Sequence, residues 1–168
     1  MSDSDSRIAV YTGSFDPITL GHLNVIERSS RLVDRLIVGI GINLDKAPLF
    51  TIDERVELVS RVTEKFRNVE VRKFSGLAVH FVRECGARVM IRGVRPLTDI
   101  AAELTMTIAN RQLDPGIETV FLMADGEYAH VSSSLFKQIA PLAGDVELSR
   151  FVPQEVIEEV RRKMGTAR

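Results

Sequence analysis

The sequence lacks the features that mark a disulfide-stabilised, zinc-binding or membrane-spanning chain. Its 168 residues include no tryptophan and one cysteine, Cys85. One cysteine excludes an intrachain disulfide and a multi-cysteine zinc site, and it is typical of a reducing compartment. No apolar run approaches the ~18 residues that a transmembrane helix requires. The polar, acidic residues 1–6 predict a disordered tail rather than a targeting segment, so we expect a cytoplasmic protein without a membrane partner.

Net charge is also nearly absent. The sequence has 22 Lys and Arg residues against 23 Asp and Glu residues, with a formal net charge of −1. Such a chain has no overall positive field to attract a nucleic-acid backbone, so we expect no nucleic-acid partner. Its 45% hydrophobic and 27% charged residues are typical of a globular protein. The length suits one domain, which we expect to span residues 1–168.

Five short segments rich in β-branched residues recur at wide spacing, and most are almost continuously apolar, as strands buried on both faces should be. They are Ile8–Tyr11, Leu36–Ile42, Val69–Phe74, Val89–Arg92 and Thr119–Leu122. Segments with helical periodicity alternate with them. This alternation predicts an α/β fold, namely a Rossmann-like, doubly wound, parallel five-stranded sheet with helices on both faces. The loops at the carboxyl ends of such strands are the expected functional surface.

The predicted helices are defined by apolar stripes and by capping residues. Thr51 and Glu54 have capping-box spacing ahead of a helix, and Pro153 suits the start of the last one. The stripes consist of Leu23, Ile26 and Val33 after the first strand, Val56, Val59, Val62 and Phe66 after the second, and Ala101, Leu104 and Ile108 within residues 99–112. Further helices are predicted over residues 77–85 and 132–140.

The first predicted strand leads directly into a string of residues suited to binding phosphate. Gly13-Ser14-Phe15-Asp16-Pro17 is followed at once by Ile18 and then by Thr19-Leu20-Gly21-His22. A small-residue turn between a parallel strand and a helix presents backbone N–H groups to an anion. His22 lies in the first turn of that helix, where we expect it to face the same crevice. A lone Gly-His pair is more often an ordinary turn, but the whole string is far more specific.

This string resembles the (H/T)xGH signature of the nucleotidyltransferase superfamily, and within it the sequence is similar to the bacterial phosphopantetheine adenylyltransferases. The similarity covers about residues 7–160 and includes three further blocks in the same order, Lys46–Phe50, Ile91–Arg95 and Val131–Lys137. The resemblance implies transfer of AMP from ATP to 4′-phosphopantetheine, giving dephospho-CoA and pyrophosphate, with Mg²⁺ bound with ATP. It also implies direct in-line transfer, a homohexamer and feedback binding of coenzyme A.

The resemblance implies roles for the matching residues. It makes His22 the transition-state stabiliser and gives Lys46 and Arg95 catalytic roles. It assigns to ATP the residues Ser14, Phe15, His22, Gly93, Val94, Arg95, Glu103, Tyr128, Ala129, His130, Val131, Ser132, Ser133 and Ser134. It assigns to the acceptor Ser14, Lys46, Ala78 and Arg92, and it implies no protein ligand for the metal. Cations and hydrogen-bond donors suit this chemistry, because charge on phosphate must be gathered and aligned without a protein nucleophile.

One stretch departs from the family's pattern and leaves alternatives open. Ile100-Ala101-Ala102 replaces the usual aromatic and acidic residues between Asp99 and Glu103, which bears on acceptor affinity. One alternative is a sibling enzyme that uses a mononucleotide acceptor, or a cytidylyltransferase, although those siblings generally carry arginine where this chain has Lys137. Another is a nucleotide-binding regulator without catalysis. An aminoacyl-tRNA synthetase is disfavoured by the short chain and by the lack of net positive charge.

Overall fold

The computed structural model describes residues 6–42, 47–95 and 100–165. Its centre is a parallel five-stranded sheet with the order β3-β2-β1-β4-β5. The strands are β1 (Ile8–Gly13), β2 (Arg35–Ile40), β3 (Val69–Lys73), β4 (Val89–Val94) and β5 (Glu118–Met123). The chain fills one half of the sheet outward from β1 and then crosses back to β4, so the strand order reverses between these two central strands. The predicted doubly wound fold is confirmed, with each strand end within two residues of its predicted place.

Helices cover both faces of this sheet. They are α1 (Leu20–Ser30), α2 (Ile52–Thr63), α3 (Ala78–Glu84), α4 (Ile100–Leu113), α5 (Ser133–Ile139), α6 (Asp145–Leu148) and α7 (Gln154–Met164). Alternate residues of β1 point to opposite faces, as the pleat requires. Ala9 and Tyr11 join the buried cluster that includes residues of α1, α2, α5 and α7, whereas Val10 joins the smaller cluster with α3.

The local signals for the helices were mostly correct. Thr51 and Glu54 form the predicted capping box, with the Glu54 N–H donating to Thr51 Oγ1 at 3.2 Å and the Thr51 N–H donating to Glu54 Oε2 at 2.7 Å. Val33 and Phe66 were wrongly placed on helical faces, because α1 ends at Ser30 and α2 ends at Thr63. Both side chains still pack against the larger core cluster from the connections that follow.

Two helices behave differently from their sequence patterns. The short helix α6 was not predicted, and its Leu148 is fully buried. Helix α4 was predicted, but its apolar face is not part of the core, since none of its residues is buried. Leu104 and Ile108 are 46% and 65% exposed. Among the residues that the structure describes, no helix has the length and apolar character needed to cross a bilayer.

Candidate active site

A cavity of about 220 Å³ opens at the carboxyl ends of β1 and β4, where the strand order reverses. Such a switch point is where open α/β sheets bind ligands. Most of the predicted site residues lie together in its lining. They are Ser14, Phe15, His22, Arg92, Gly93, Val94, Arg95, Glu103, Tyr128, Val131, Ser132, Ser133 and Ser134. Separate segments of the sequence therefore meet at one place, as the parallel topology predicts.

The remaining predicted site residues are not part of this lining. Ala129 and His130 belong to the neighbouring segment, where the exposed ring of His130 packs edge-on against Phe151 with ring centroids 5.8 Å apart. Ala78 is the first residue of α3 and packs against the smaller core cluster. Lys46, predicted to be catalytic and acceptor-binding, lies outside the described residues, as does Asp99.

The orientation of His22 is set by Thr19, the N-cap of α1. The Thr19 backbone N–H donates to His22 Nδ1 at 3.1 Å, and the His22 N–H donates to Thr19 Oγ1 at 3.3 Å. A backbone N–H can only donate, so Nδ1 must accept and the ring proton of the neutral imidazole is assigned to Nε2. The Phe15 ring packs edge-on against the imidazole, with centroids 5.0 Å apart. His22 is thus held as an Nε2–H donor.

The surroundings also keep His22 uncharged. Burial lowers its pKa to about 4, and the positive charges of Arg95 and Arg92 act in the same direction. The imidazole is therefore neutral near pH 7, because its pKa lies far below that pH. A neutral imidazole can still donate one hydrogen bond, and it brings no ionic charge of its own.

Arg92 and Glu103, which the resemblance assigned to different substrates, contact each other directly. Arg92 Nε donates to Glu103 Oε2 at 2.8 Å, and a terminal nitrogen donates to Oε1 at 2.7 Å. The other terminal nitrogen donates to the Thr12 carbonyl oxygen at 2.7 Å and contacts its hydroxyl at 3.0 Å. This fork fixes the guanidinium plane between β1 and α4. The guanidinium of Arg92 is therefore already oriented in the cavity wall.

Close packing behind Arg92 depends on Gly93. A Cβ at Gly93 would lie 2.8 Å from the Tyr11 hydroxyl oxygen and 3.3 Å from a methyl carbon of Val25. Any larger residue would have to displace Tyr11, whose ring also packs edge-on against Phe15. Burial raises the pKa of the Tyr11 hydroxyl, so it stays protonated. Gly93 therefore lets the wall of the cavity approach β1 closely.

The serines at the start of α5 are partly engaged in structural contacts. Ser132 is the N-cap of α5, and its hydroxyl oxygen accepts the Leu135 N–H at 3.1 Å. The Ser133 hydroxyl donates to the Pro17 carbonyl oxygen at 2.8 Å. Ser132 keeps its hydroxyl hydrogen for a ligand, whereas the hydrogen of Ser133 is already used. The two serines therefore differ in what their hydroxyl groups can offer a ligand.

Sequence reasoning gave no role to two buried charges beside the motif turn. The Asp16 carboxylate accepts the N–H groups of Leu49 and Phe50, each at 2.8 Å, and pairs with Lys137 at 2.7 Å. Arg55, 5% exposed, donates to the carbonyl oxygens of Ser14 at 2.8 Å and Gly41 at 3.0 Å. Arg55 lies four residues before Val59 and shares the buried side of α2 with it. That spacing is the sequence signal that could have identified Arg55, but the predicted stripe contained only apolar residues.

The described residues do not build a dedicated metal centre. Across residues 6–42, 47–95 and 100–165, no group of three or more His, Cys, Asp and Glu side chains is arranged to hold an ion. Glu103 brings a carboxylate to the cavity, but both of its oxygens accept from Arg92.

Comparison with known proteins decides the family. The cytidylyltransferase-like family model matches residues 10–139. The chain is 63% identical over 159 residues to a phosphopantetheine adenylyltransferase of Rhodopirellula baltica, covering 94% of this chain and 89% of that protein. It is 47% identical over 157 residues to one of Clostridium botulinum, covering 94% and 98%. The chain belongs to the phosphopantetheine adenylyltransferase family. The predicted family and the predicted nucleotidyltransferase class are both confirmed.

Solved structures of more distant proteins share the fold. A Plasmodium falciparum nicotinic acid mononucleotide adenylyltransferase complexed with NaAD superposes with a TM-score of 0.62 at 14% identity, covering 96% of this chain and 97% of that one. A putative nicotinate-nucleotide adenylyltransferase from Vibrio parahaemolyticus has a TM-score of 0.66 at 16% identity, covering 95% and 94%. At these identities the likenesses show the fold of the chain and nothing further.

Proposed function

We propose that this protein transfers the adenylyl group of ATP to 4′-phosphopantetheine, giving dephospho-CoA and pyrophosphate in coenzyme A biosynthesis. The observation that carries the proposal is the meeting of three family blocks, from the β1–α1 turn, β4 and α5, at one cavity of a chain that belongs to this family. Its polar lining supplies cations and hydrogen-bond donors, which are the groups that phosphate chemistry needs.

The proposed step is an in-line displacement. A phosphate oxygen of the acceptor attacks the α-phosphorus of ATP and forms the new P–O bond. The bond from the α-phosphorus to the oxygen that bridges it to the β-phosphorus breaks, and pyrophosphate leaves with the electron pair. No side chain becomes covalently attached, so the protein contributes alignment and charge stabilisation.

His22 is the proposed transition-state stabiliser. Its Nδ1 is occupied by the Thr19 N–H, so Nε2–H is the donor available to an oxygen on the α-phosphorus. Because the pKa of His22 is lowered to about 4, it would act as a neutral donor rather than as an acid. Hydrogen-bond donors that are already oriented before reaction cost no reorganisation during it.

The other lining residues divide between the two substrates in this proposal. Arg95 and Lys46 supply positive charge to the reacting phosphates, and Arg92 with Ser14 receives the phosphate of the acceptor. Ala78 contacts the pantetheine arm. ATP lies against Phe15, Gly93, Val94, Glu103, Tyr128, Ala129, His130 and Val131, with its phosphates beside Ser132, Ser133 and Ser134. Arg92 enters the reaction already oriented by Glu103 and Thr12.

Mg²⁺ is the proposed cofactor, and it would arrive bound to ATP. Mg²⁺ commonly binds substrate phosphates and water with few protein carboxylates, which fits a cavity whose Glu103 oxygens are engaged with Arg92. When bound, the ion neutralises charge on the phosphates of ATP. The chain's own contribution is to hold those phosphates at the donors named above.

An acceptor screen tests this function directly. Purified protein with Mg²⁺ and ATP should release pyrophosphate with 4′-phosphopantetheine and not with nicotinate mononucleotide or nicotinamide mononucleotide. Release with a mononucleotide instead would identify a sibling enzyme. ATP binding without release for any acceptor would support the regulator alternative.

The assembly and its setting are also part of the proposal. We propose one nucleotidyltransferase domain that assembles as a homohexamer in the cytoplasm and binds coenzyme A as a feedback ligand. The exposed apolar residues of α4 support self-association, because contact between copies would remove this apolar surface from water. Light scattering should give a mass six times that of the 18.7 kDa chain. A monomeric mass at micromolar concentration would contradict the proposal.

A further inference from the structure

One carboxylate connects three segments around the cavity. Asp16 lies in the turn between β1 and α1, its side chain is 8% exposed, and it pairs with Lys137 of α5 at 2.7 Å. The same carboxylate accepts the backbone N–H groups of Leu49 and Phe50, the residues just ahead of the N-cap of α2. Neither Asp16 nor Lys137 is part of the described cavity lining.

Each segment held by Asp16 carries a residue proposed to bind a substrate. The turn carries Ser14 and leads into His22. Helix α5 follows Ser132, and a second contact, from the Ser133 hydroxyl to the Pro17 carbonyl, joins α5 to the same turn. The segment of Leu49 follows Lys46 by three positions in the sequence. A shift of Asp16 or Lys137 would therefore move the motif turn, the start of α5 and the segment of Leu49 and Phe50 relative to one another.

The turn needs such support because its backbone is unusual. Phe15 has a φ of +47°, the left-handed region that side chains with a Cβ rarely adopt. Its neighbour Ser14 is held through its carbonyl by buried Arg55, and its other neighbour is Asp16. Strained conformations of this kind persist when the surrounding contacts determine them fully. The charged contacts on both sides of Phe15 meet that condition.

We infer that Asp16 and Lys137 are positioning residues for the proposed adenylyl transfer. Their ion pair sets the position of α5 against the motif turn. The contacts of Asp16 with the N–H groups of Leu49 and Phe50 set the position of the segment ahead of α2. The inference rests on the proposed function. It separates two connections: loss of Lys137 weakens only the connection to α5, whereas loss of the Asp16 charge weakens the connections to α5 and to the segment of Leu49 and Phe50.

This separation gives a kinetic test. Lys137→Met should raise KM for ATP by ~10-fold, with KM for 4′-phosphopantetheine within ~2-fold of the wild-type value. Asp16→Asn should raise both KM values, because an amide offers one acceptor oxygen where the carboxylate offers two. Lys137→Arg keeps the cation and should bring KM for ATP back to within ~3-fold of wild type. If Lys137→Met does not fold, Lys137→Gln replaces it.

Arg83→Met is the matched control. Arg83 pairs with Asp114 at 2.7 Å and joins the end of α3 to the segment after α4. These residues precede β4 and β5, so they lie toward the amino-terminal ends of the strands, away from the cavity. This variant should lower Tm and leave both KM values unchanged. If Lys137→Met and Asp16→Asn behave in the same way, their role is only structural and the inference is wrong.

A readout that does not need turnover separates this inference from the proposed function. Calorimetric titration with ATP should give a ~10-fold weaker Kd for Lys137→Met than for wild type and for Lys137→Arg. An equal Kd would overturn the inference. Wild-type protein that binds ATP but releases no pyrophosphate with 4′-phosphopantetheine would overturn the proposed function, and the order of the Kd values would still decide the role of Lys137.

Discussion

Helices α1 and α4 follow the two central strands, yet they differ in what they do with their apolar residues. Helix α1 buries Gly21, Val25 and Ile26 and presents His22 to the cavity. Helix α4 buries none of its residues, although it brings Glu103 to the same cavity. The chain therefore completes the packing of α1 itself and leaves the apolar side of α4 uncovered. In the proposed function, α1 provides the stabilising imidazole and the exposed side of α4 is the candidate contact between copies.

The largest expected effect comes from removing the imidazole on α1. His22→Ala should lower kcat by ~10²-fold or more while ATP still binds, because a donor that acts mainly in the transition state is lost. Steady-state pyrophosphate release and ATP titration measure the two quantities. His80→Ala, on the exposed surface of α3, is the matched control and should keep wild-type turnover. Unchanged turnover in His22→Ala would remove His22 from the mechanism.

The contact between Arg92 of β4 and Glu103 of α4 gives the next effect. Arg92→Ala should raise KM for 4′-phosphopantetheine by ~10- to 100-fold, the range expected when a charged hydrogen bond is lost. Glu103 would then lose the partner of both its carboxylate oxygens, so a smaller effect on ATP is expected as well. Initial rates with each substrate varied in turn measure this split. An effect on ATP alone would reverse the proposed assignment of Arg92.

The sequence predicted more of the fold than of the site. Strands and caps depend on neighbouring residues, so β1 to β5 and the Thr51 cap could be predicted from spacing. Resemblance singled out many of the residues that line the cavity, but not their partners. Contacts such as Arg92–Glu103 and Asp16–Lys137 join residues distant in sequence. The exposure of α4 was not predictable either, since periodicity shows an apolar face and not what covers it.

A moderate effect is expected from charging the apolar side of α4. The double variant Leu104→Glu, Ile108→Glu should reduce the assembled mass, because buried carboxylates at a contact between copies would lack partners. Turnover per chain should stay within ~3-fold of wild type, since neither Leu104 nor Ile108 is part of the described cavity lining. Gln112→Glu, an exposed polar position on the same helix, controls for added charge. A wild-type mass for the double variant would exclude this face from the assembly.

The smallest expected effect is that of pH on the contribution of His22 to catalysis. The pKa of His22 is lowered to about 4, so the imidazole should stay neutral in the free enzyme between about pH 5 and 8, where an ordinary histidine changes charge. The ratio of kcat/KM for wild type to that for His22→Ala cancels the titration of the substrates and isolates His22. We expect this ratio to be flat across that range. If His22 acted as a cation, the ratio would fall as pH rises through its pKa, by about tenfold per unit above it. A flat ratio together with a large His22→Ala effect would mean that α1 contributes an oriented neutral donor, whereas a falling ratio would mean that the positive charge of the imidazole is what counts.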